Sequence, residues 1–215
     1  MEYFEDSYSS SLIAEEVAMK MAEAVAILVV PHEIVVAEGG VLQCASRESV
    51  GETICEITQT PDQECFDAEY EFVAEVVEEC STIGRLDVIN LWERVIFAWV
   101  IGDAQQGMLS FSLHESHAGL FALAPISRLA PMSAEGEREL ALSVNAKRRG
   151  IRRADFVKGA LESPSLKSRA LNIIFSKFIG AIDKWREIIN ASQMSEQEKQ
   201  RLLQLVEMRL KMLEQ

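Results

Sequence analysis

The sequence predicts an α+β protein that is predominantly α-helical. We expect small antiparallel strands and hairpins in the N-terminal part, packed on helices, and an all-helical C-terminal part that ends in an antiparallel helical hairpin. Three observations predict this fold class: an apolar helical stretch over 86–101, short alternating runs between turn residues, and apolar residues at 3–4 spacing from Leu171 to Leu213. At 215 residues the chain is long enough to bury a sizeable core.

The stretch Leu86–Ile101, LDVINLWERVIFAWVI, is the expected centre of the fold. It is apolar on almost every side of a helical wheel, which is typical of a helix that other elements cover on most of its surface. Its longest uncharged run, Val95–Ile101, is far shorter than the roughly 20 residues that a membrane-spanning helix needs. We therefore predict a buried core helix that ends at Gly102, and no membrane span.

The elements before and after this helix follow from local signals. A first helix is expected from Ser11, and Pro31 should end it. The Thr60-Pro61 start predicts a further helix that reaches Cys80. Five short β-rich runs predict strands: 33–37, 41–45, 52–58, 108–113 and 120–126. The last 83 or so residues predict helices, by the same periodicity argument, over four segments: 133–149, 154–162, 163–190 and 195–213.

Charge is distributed unevenly along the chain. The whole chain carries a net charge of −13, with −18 over residues 1–133 and +5 over residues 134–190. We therefore predict an acidic α+β module over 1–130, built on the core helix 86–101, and a helical module over 131–215, with a single compact domain as the alternative. The acidic module should repel nucleic acid and anionic membranes.

The four cysteines (Cys44, Cys55, Cys65 and Cys80) show no C-x-x-C spacing. The first ten residues, MEYFEDSYSS, lack the basic start and apolar run of a secretory signal. We therefore expect free thiols, a cytoplasmic location and no cofactor.

Motifs for catalysis are few in this sequence. It contains no G-x-S-x-G, no P-loop and no G-x-G-x-x-G, so an enzyme is the less favoured hypothesis and no catalytic residue is assigned. His114 and His117, on either side of Glu115, are weak candidates for metal ligands in a metal-dependent enzyme. The spacing differs from the H-E-x-x-H that places two imidazoles on one helical face.

A basic segment over 147–153 is the sharpest local feature. It could neutralise several phosphates, which makes a nucleic-acid-associated regulator an alternative function. A contact with the acidic module, or a solvated helix end, is the competing explanation. The candidate nucleic-acid-binding residues are Lys147, Arg148, Arg149, Arg152 and Arg153.

The leading functional hypothesis is a non-enzymatic cytoplasmic adaptor or chaperone-like protein. It would bind a protein partner, or a second copy of itself, through an apolar helical surface rimmed by acidic residues. The candidate partner-binding residues are Trp92, Trp99, Leu202, Leu205, Met208 and Met212. The stretch Leu120–Ala146, LFALAPISRLAPMSAEGERELALSVNA, resembles the strand–loop–helix of bacterial type III secretion chaperones in its pattern of residue types.

Overall fold

A computed structural model of the chain describes residues 2–36, 42–46, 51–61, 63–117, 119–133, 139–163 and 166–215. These residues form eight α-helices: α1 (Glu2–Glu23), α2 (Ile54–Thr58), α3 (Tyr70–Cys80), α4 (Gly84–Ile101), α5 (Arg153–Ala160), α6 (Ser168–Gly180), α7 (Ile182–Ala191) and α8 (Glu196–Glu214). They also form five strands: β1 (His32–Val36), β2 (Leu42–Ser46), β3 (Glu52–Thr53), β4 (Ser112–His117) and β5 (Leu120–Leu123). The predicted fold class, a predominantly helical α+β protein, is confirmed.

The strands form two small antiparallel sheets. β1 pairs with β2 in one sheet, and the other has the order β3-β4-β5. In the second sheet Leu113 lies opposite both Glu52 and Leu123, so β4 is its central strand. A turn of 3-10 helix, Met108–Ser110, precedes β4 and leads the chain from α4 into this sheet.

Helix α4 lies at the centre of the core, as predicted. It contacts α3, α6, α8 and β5, and from Val95 to Ile101 every residue is fully buried. The ring of Phe97 packs against Phe178 and Trp185, with centroids 6.0 and 5.8 Å apart. The core that surrounds α4 takes residues from both predicted modules, and the boundary near residue 130 stays a prediction.

The end of α4 is also where the sequence predicted it. Gly102 adopts the left-handed conformation with φ 76°, and its N–H contacts the carbonyls of Ala98 and Trp99. A Cβ atom at this position would lie 2.6 Å from the side chain of Leu205 on α8. Glycine is required here both by the backbone conformation and by the closeness of α8. No helix in the described ranges is long and apolar enough to cross a membrane.

Residues 52–58 form only a two-residue strand followed by a helix, so the predicted strand is wrong beyond Thr53. The reason is a capping box: the Thr53 hydroxyl accepts a hydrogen bond from the Glu56 N–H at 3.2 Å, and the Thr53 N–H donates to the Glu56 carboxylate at 2.7 Å. This pair satisfies the first free N–H groups of α2 and starts the helix inside an alternating run. Residue 53 therefore carries a helix signal that competes with the strand pattern.

The predicted helix over 60–80 begins later than expected. Residues 63–68 form turns and bends, and α3 starts only at Tyr70. The Tyr70 N–H donates to the carbonyl of Ser143 at 3.0 Å, so a contact distant in sequence sets this start. The first helix, in contrast, begins earlier than predicted, at Glu2, and ends at Glu23 before Pro31.

The segment 139–149 is not helical, which contradicts the predicted helix over 133–149. It forms isolated β-bridges, Glu69 with Ser143 and Val144 with Lys147, and Asn145 and Ala146 have positive φ values of 48° and 58°. Consecutive residues of this segment are buried, whereas a surface helix buries the residues of one face only. Residues 134–138 of that prediction lie outside the described part of the chain.

The C-terminal helices agree more closely with the prediction. Helix α5 is confirmed, and α8 starts at the predicted capping box of Ser195 and Glu198. The long helix expected over 163–190 is divided at Gly180 and Ala181 into α6 and α7. Glycine has a low helix propensity, and this division turns α7 so that Trp185 reaches α1, where its indole N–H donates to the Met21 carbonyl at 2.8 Å.

The expectation of free thiols is wrong for two cysteines. Cys55 and Cys65 form a disulfide bond that ties α2 to the turns before α3. Cys80, at the end of α3, is a free and exposed thiol. The side chain of Cys44 lies outside the described residues.

We predict that Ile96→Ala lowers the free energy of unfolding by about 2–5 kcal/mol, because Ile96 is completely buried at the centre of α4 and its truncation leaves a cavity. Urea unfolding followed by circular dichroism measures this change. Ile173→Ala is the matched control, since Ile173 also lies in a helix but is 60% exposed. A loss of similar size in both variants would contradict the central role of α4.

Candidate functional site

Two loops meet beside the end of α4 and form the candidate site. The first, residues 102–110, connects α4 to β4, and the second, residues 124–133, follows β5. We call the surface that they form the paired-loop surface. The Ala104 N–H donates to the Ser133 hydroxyl at 3.0 Å, and the Met132 N–H donates to the Ile101 carbonyl at 3.0 Å, so the loops are joined at their ends.

Asp103 is the polar centre of these loops. Its side chain is fully buried, and one carboxylate oxygen accepts from the Ala130 N–H at 2.9 Å and from the Gln106 side-chain amide at 2.8 Å. The other oxygen accepts from the Gln105 N–H at 2.8 Å. Burial raises the pKa of Asp103, although these hydrogen bonds oppose the change. Asp103 therefore holds the first loop against the second and is not accessible to a ligand.

A second polar link reinforces this arrangement. The Gln106 side-chain amide also donates to the Arg128 carbonyl at 3.2 Å. The Tyr70 hydroxyl, which is buried, donates to the Gln106 carbonyl at 2.7 Å and connects the loop to α3. Buried polar groups that are satisfied in this way fix a loop in one conformation.

Two charged side chains of α4 fix β5 beside the loops. The Asp87 carboxylate accepts from the Leu123 N–H at 2.7 Å and from the Ser81 hydroxyl at 2.6 Å. The Arg94 guanidinium donates to the carbonyl of Ala124, and burial lowers the pKa of Arg94 to about 10. Both side chains are buried, and each has a hydrogen bond to the backbone where β5 joins the second loop.

An ion pair joins the second loop to α1. The Arg128 guanidinium lies 3.6 Å from the Glu15 carboxylate, and the Arg128 side chain is 82% exposed. Burial is the largest influence on Glu15 and raises its pKa, against the attraction of Arg128, which lowers it. Glu15 is therefore a buried anchor, whereas the guanidinium of Arg128 remains accessible from solvent.

The accessible side chains of the paired-loop surface are amide, hydroxyl, apolar and cationic groups: Gln105, Leu109, Ser110 and Arg128. Such donors and the guanidinium can bind anionic oxygen atoms, including those of a phosphate group. Asp103 is the only carboxylate in 102–110 and 124–133, and it is buried. Because Mg²⁺ in phosphoryl-transfer sites is held by carboxylate oxygens, the residues of these two loops do not fit a divalent metal or a general base.

The structure places most of the predicted partner-binding residues away from solvent. Trp92, Trp99 and Leu202 are fully buried, and the Trp99 indole N–H donates to the Glu139 carboxylate at 2.9 Å. Leu205 and Met212 are half-buried, and Met208 is exposed. A groove beside the two tryptophans is therefore not available, because α3, α6 and α8 pack on α4.

The basic segment is divided between internal contacts and solvent. Lys147 forms an ion pair with the Asp155 carboxylate at 2.7 Å, and Arg148 donates to the Phe66 carbonyl. Arg153 donates to the Leu213 carbonyl at 2.6 Å and stacks on the ring of Phe175, 4.7 Å from its centroid. Arg149 and Arg152 are exposed. Nucleic-acid binding by these residues stays a prediction.

The two histidines proposed as metal ligands lie on β4. His114 is paired with Ala122 of β5, and its Nδ1 atom is buried without a hydrogen-bond partner. The side chain of His117 is not among the described ones. Within the described residues, no group of three His, Cys, Asp or Glu side chains could hold a metal ion.

Sequence reasoning missed Asp103, Glu15 and Arg128 as members of one site. The sequence signal that could have identified the site is Asp103, an acidic residue directly after Gly102, the glycine that ends the core helix. A carboxylate in that position must find partners or carry a charge into the core. The partners themselves, the amide of Ala130 and the side chain of Gln106, could not be identified from spacing.

We predict that Asp103→Asn lowers the free energy of unfolding by about 1–3 kcal/mol near neutral pH, because an amide cannot accept all three of the hydrogen bonds to the carboxylate. Asp67→Asn is the control, since the Asp67 side chain is 77% exposed and the same substitution should change stability by less than about 0.5 kcal/mol. Equal effects of the two substitutions would contradict the role of Asp103.

The pH dependence of this difference has a defined sign. Because the native pKa of Asp103 lies above its ordinary value of 3.8, the folded protein binds this proton more tightly than the unfolded chain does. The stability linked to Asp103 is therefore present at low pH and lost as pH rises through the native pKa. The free energy of unfolding that Asp103→Asn loses, relative to the unmodified protein, should therefore increase as pH falls from about 7 to about 4. Urea unfolding of both proteins across this range measures it.

Comparison with known proteins assigns the family. The family model described as the HipA-like C-terminal domain matches residues 3–186. No curated protein matches the sequence at a significant level.

Two solved structures share the fold. One is described as the Shewanella oneidensis MR-1 toxin–antitoxin system HipA, HipB and its operator DNA complex. It has a TM-score of 0.74 and 13% identity, over 94% of this chain and 56% of that chain. The second is the Helicobacter pylori proinflammatory kinase CtkA, with a TM-score of 0.67 and 12% identity, over 94% of this chain and 83% of that chain. The chain thus spans about half the length of the Shewanella protein.

These comparisons correct the leading functional hypothesis. The hypothesis of a non-enzymatic adaptor or chaperone-like protein is wrong, because residues 3–186 match the HipA-like C-terminal domain model. The resemblance of Leu120–Ala146 to type III secretion chaperones is likewise wrong, since 139–146 is not a helix. A match that covers most of the chain settles the family: this protein belongs to the HipA-like C-terminal domain family.

Proposed function

We propose that this protein is a module of a kinase-like toxin of the HipA type, and that it acts in the cytoplasm in an assembly with a protein partner. The observation that carries the proposal is the family match over residues 3–186. The fold shared with HipA of Shewanella, which was solved with HipB and operator DNA, supports the partner. The fold shared with a kinase of Helicobacter supports phosphoryl transfer as the reaction class.

The chemistry of the paired-loop surface agrees with part of this function. Gln105, Ser110 and Arg128 are accessible and can donate hydrogen bonds to phosphate oxygens, and the Arg128 guanidinium adds a positive charge. A protein kinase also uses an aspartate that accepts the proton of the substrate hydroxyl, and carboxylate and amide ligands for its magnesium ions. The two loops supply no accessible carboxylate for either role.

The proposal therefore assigns two roles. The two loops contribute phosphate-binding donors, and the carboxylates for proton transfer and metal binding come from residues outside these loops.

We predict that expression of the protein in a bacterial host arrests growth, and that the triple substitution Gln105→Ala, Ser110→Ala and Arg128→Ala relieves the arrest. Loss of the Arg128 contact alone should weaken phosphate binding by about tenfold or more. Colony counts after induction measure the arrest, and mass spectrometry of host proteins detects new phosphorylation.

A matched control is Ser168→Ala, Arg169→Ala and Gln193→Ala, which removes the same three residue types from exposed positions elsewhere. This variant should arrest growth as the unmodified protein does. The proposal is abandoned if folded protein accumulates without arrest, or if both triple variants behave alike.

A further inference from the structure

A groove between α5 and the end of α8 is the strongest feature that the proposed function does not use. It has a volume of about 880 Å³, within the range of roughly 300–1,000 Å³ that is typical of ligand sites. We call it the α5–α8 groove, and its lining residues are Arg152, Arg153, Ala154, Val157, Lys158, Met212 and Gln215. Three of these seven residues are cations, in a chain with a net charge of −13.

One of the cations is held in place by the protein itself. The Arg153 guanidinium donates to the Leu213 carbonyl at 2.6 Å and to the Asn172 side chain at 2.9 Å, and it stacks on the ring of Phe175. Arg153 therefore joins α5, α6 and α8 and forms a fixed positive wall of the groove. A pre-organised guanidinium loses little freedom when it meets an anion.

The other two cations are free to meet a ligand. Arg152 and Lys158 are exposed, and no ion pair among the described side chains joins either of them to a carboxylate. Lys147, in contrast, is paired with Asp155, which is buried and so is not available to Arg152 or Lys158. The two free cations are six positions apart, which corresponds to about 9 Å along a helix axis.

The groove also has apolar surface, which favours an acidic peptide over a nucleic acid as its ligand. Val157 and Met212 are half-buried and supply apolar surface between the cations. A nucleic-acid backbone offers many phosphates but little apolar surface, and the strongly acidic protein repels it. In an extended peptide, alternate side chains lie on one face about 7 Å apart, so glutamates and a leucine at alternate positions can contact the cations and the apolar surface together.

We propose that the α5–α8 groove binds an acidic segment of a protein partner, with carboxylates on Arg152 and Lys158 and an apolar side chain against Val157 and Met212. The inference rests on the proposed function, because it names the chemistry of the partner that the assembly requires. It locates that partner on the helical C-terminal part of the chain. The paired-loop surface is a separate set of residues and remains available to a phosphate-bearing substrate.

The test uses the full chain and a short fluorescein-labelled peptide in which glutamate, leucine and glutamate occupy alternate positions and serine occupies the positions between them. Binding is followed by fluorescence anisotropy. We expect saturable binding that weakens as salt is added, because the exposed charges are screened. The double substitution Arg152→Ser and Lys158→Ser should weaken binding by roughly tenfold, which corresponds to the loss of two exposed charge pairs.

The matched control is Arg85→Ser and Arg169→Ser, which makes the same change in net charge at exposed positions outside the groove. This variant should bind the peptide as the unmodified protein does. A second peptide, with glutamine in place of each glutamate, should bind at least several-fold more weakly than the acidic one.

Four outcomes overturn the inference: no binding of the acidic peptide, equal loss in both double variants, equal binding of the glutamine peptide, or tighter binding of a labelled DNA duplex. The last outcome would assign the groove to nucleic acid. Failure of the groove proposal is distinguishable from failure of the proposed function. The growth-arrest test uses the triple variant at Gln105, Ser110 and Arg128, which leaves the groove unchanged. Growth arrest without peptide binding would therefore reject only the proposal that the groove binds an acidic segment.

Discussion

The complete burial of Val95–Ile101, the C-terminal part of α4, is the constraint on which the rest of the structure depends. A helix end that is covered on all sides leaves its polar groups without solvent, so each of them needs a partner within the protein. Gly102 turns the chain out of the helix, and Asp103 then accepts three hydrogen bonds from the loops beside it. The loops of the candidate site are therefore positioned by the same burial that stabilises the core.

Buried charged side chains also join α4 to the neighbouring elements. Arg209 of α8 donates to the carbonyl of Trp99 and stacks over its ring, and burial lowers the pKa of Arg209 to about 10. Asp87 and Arg94 attach β5 to α4 in the same way. Each of these charged side chains has a hydrogen bond to a backbone group, which couples the position of a helix or strand to α4. Removal of one such side chain would leave a polar group buried without a partner.

The protein shares its fold with a Helicobacter kinase, and the accessible side chains of its two loops include no carboxylate. Accessible donors and a guanidinium surround a carboxylate that serves only to hold the loops together. The family match assigns the class of protein, whereas the chemistry that the two loops can perform follows only from their residues. The basic α5–α8 groove lies apart from this surface and gives the module a second, electrostatic means of recognition.

The sequence by itself determined the fold class, the position of α4 and its end at Gly102, and the start of α8, because these depend on local periodicity and capping. Tertiary structure decided the rest. Apolar periodicity shows that a face is buried but not by what, so Trp92 and Trp99 were interpreted as a partner surface when α4 is covered by the chain itself. The same limit applies to 139–149 and to the contacts of Asp103 with Ala130, because those partners are distant in sequence and only the folded chain brings them together.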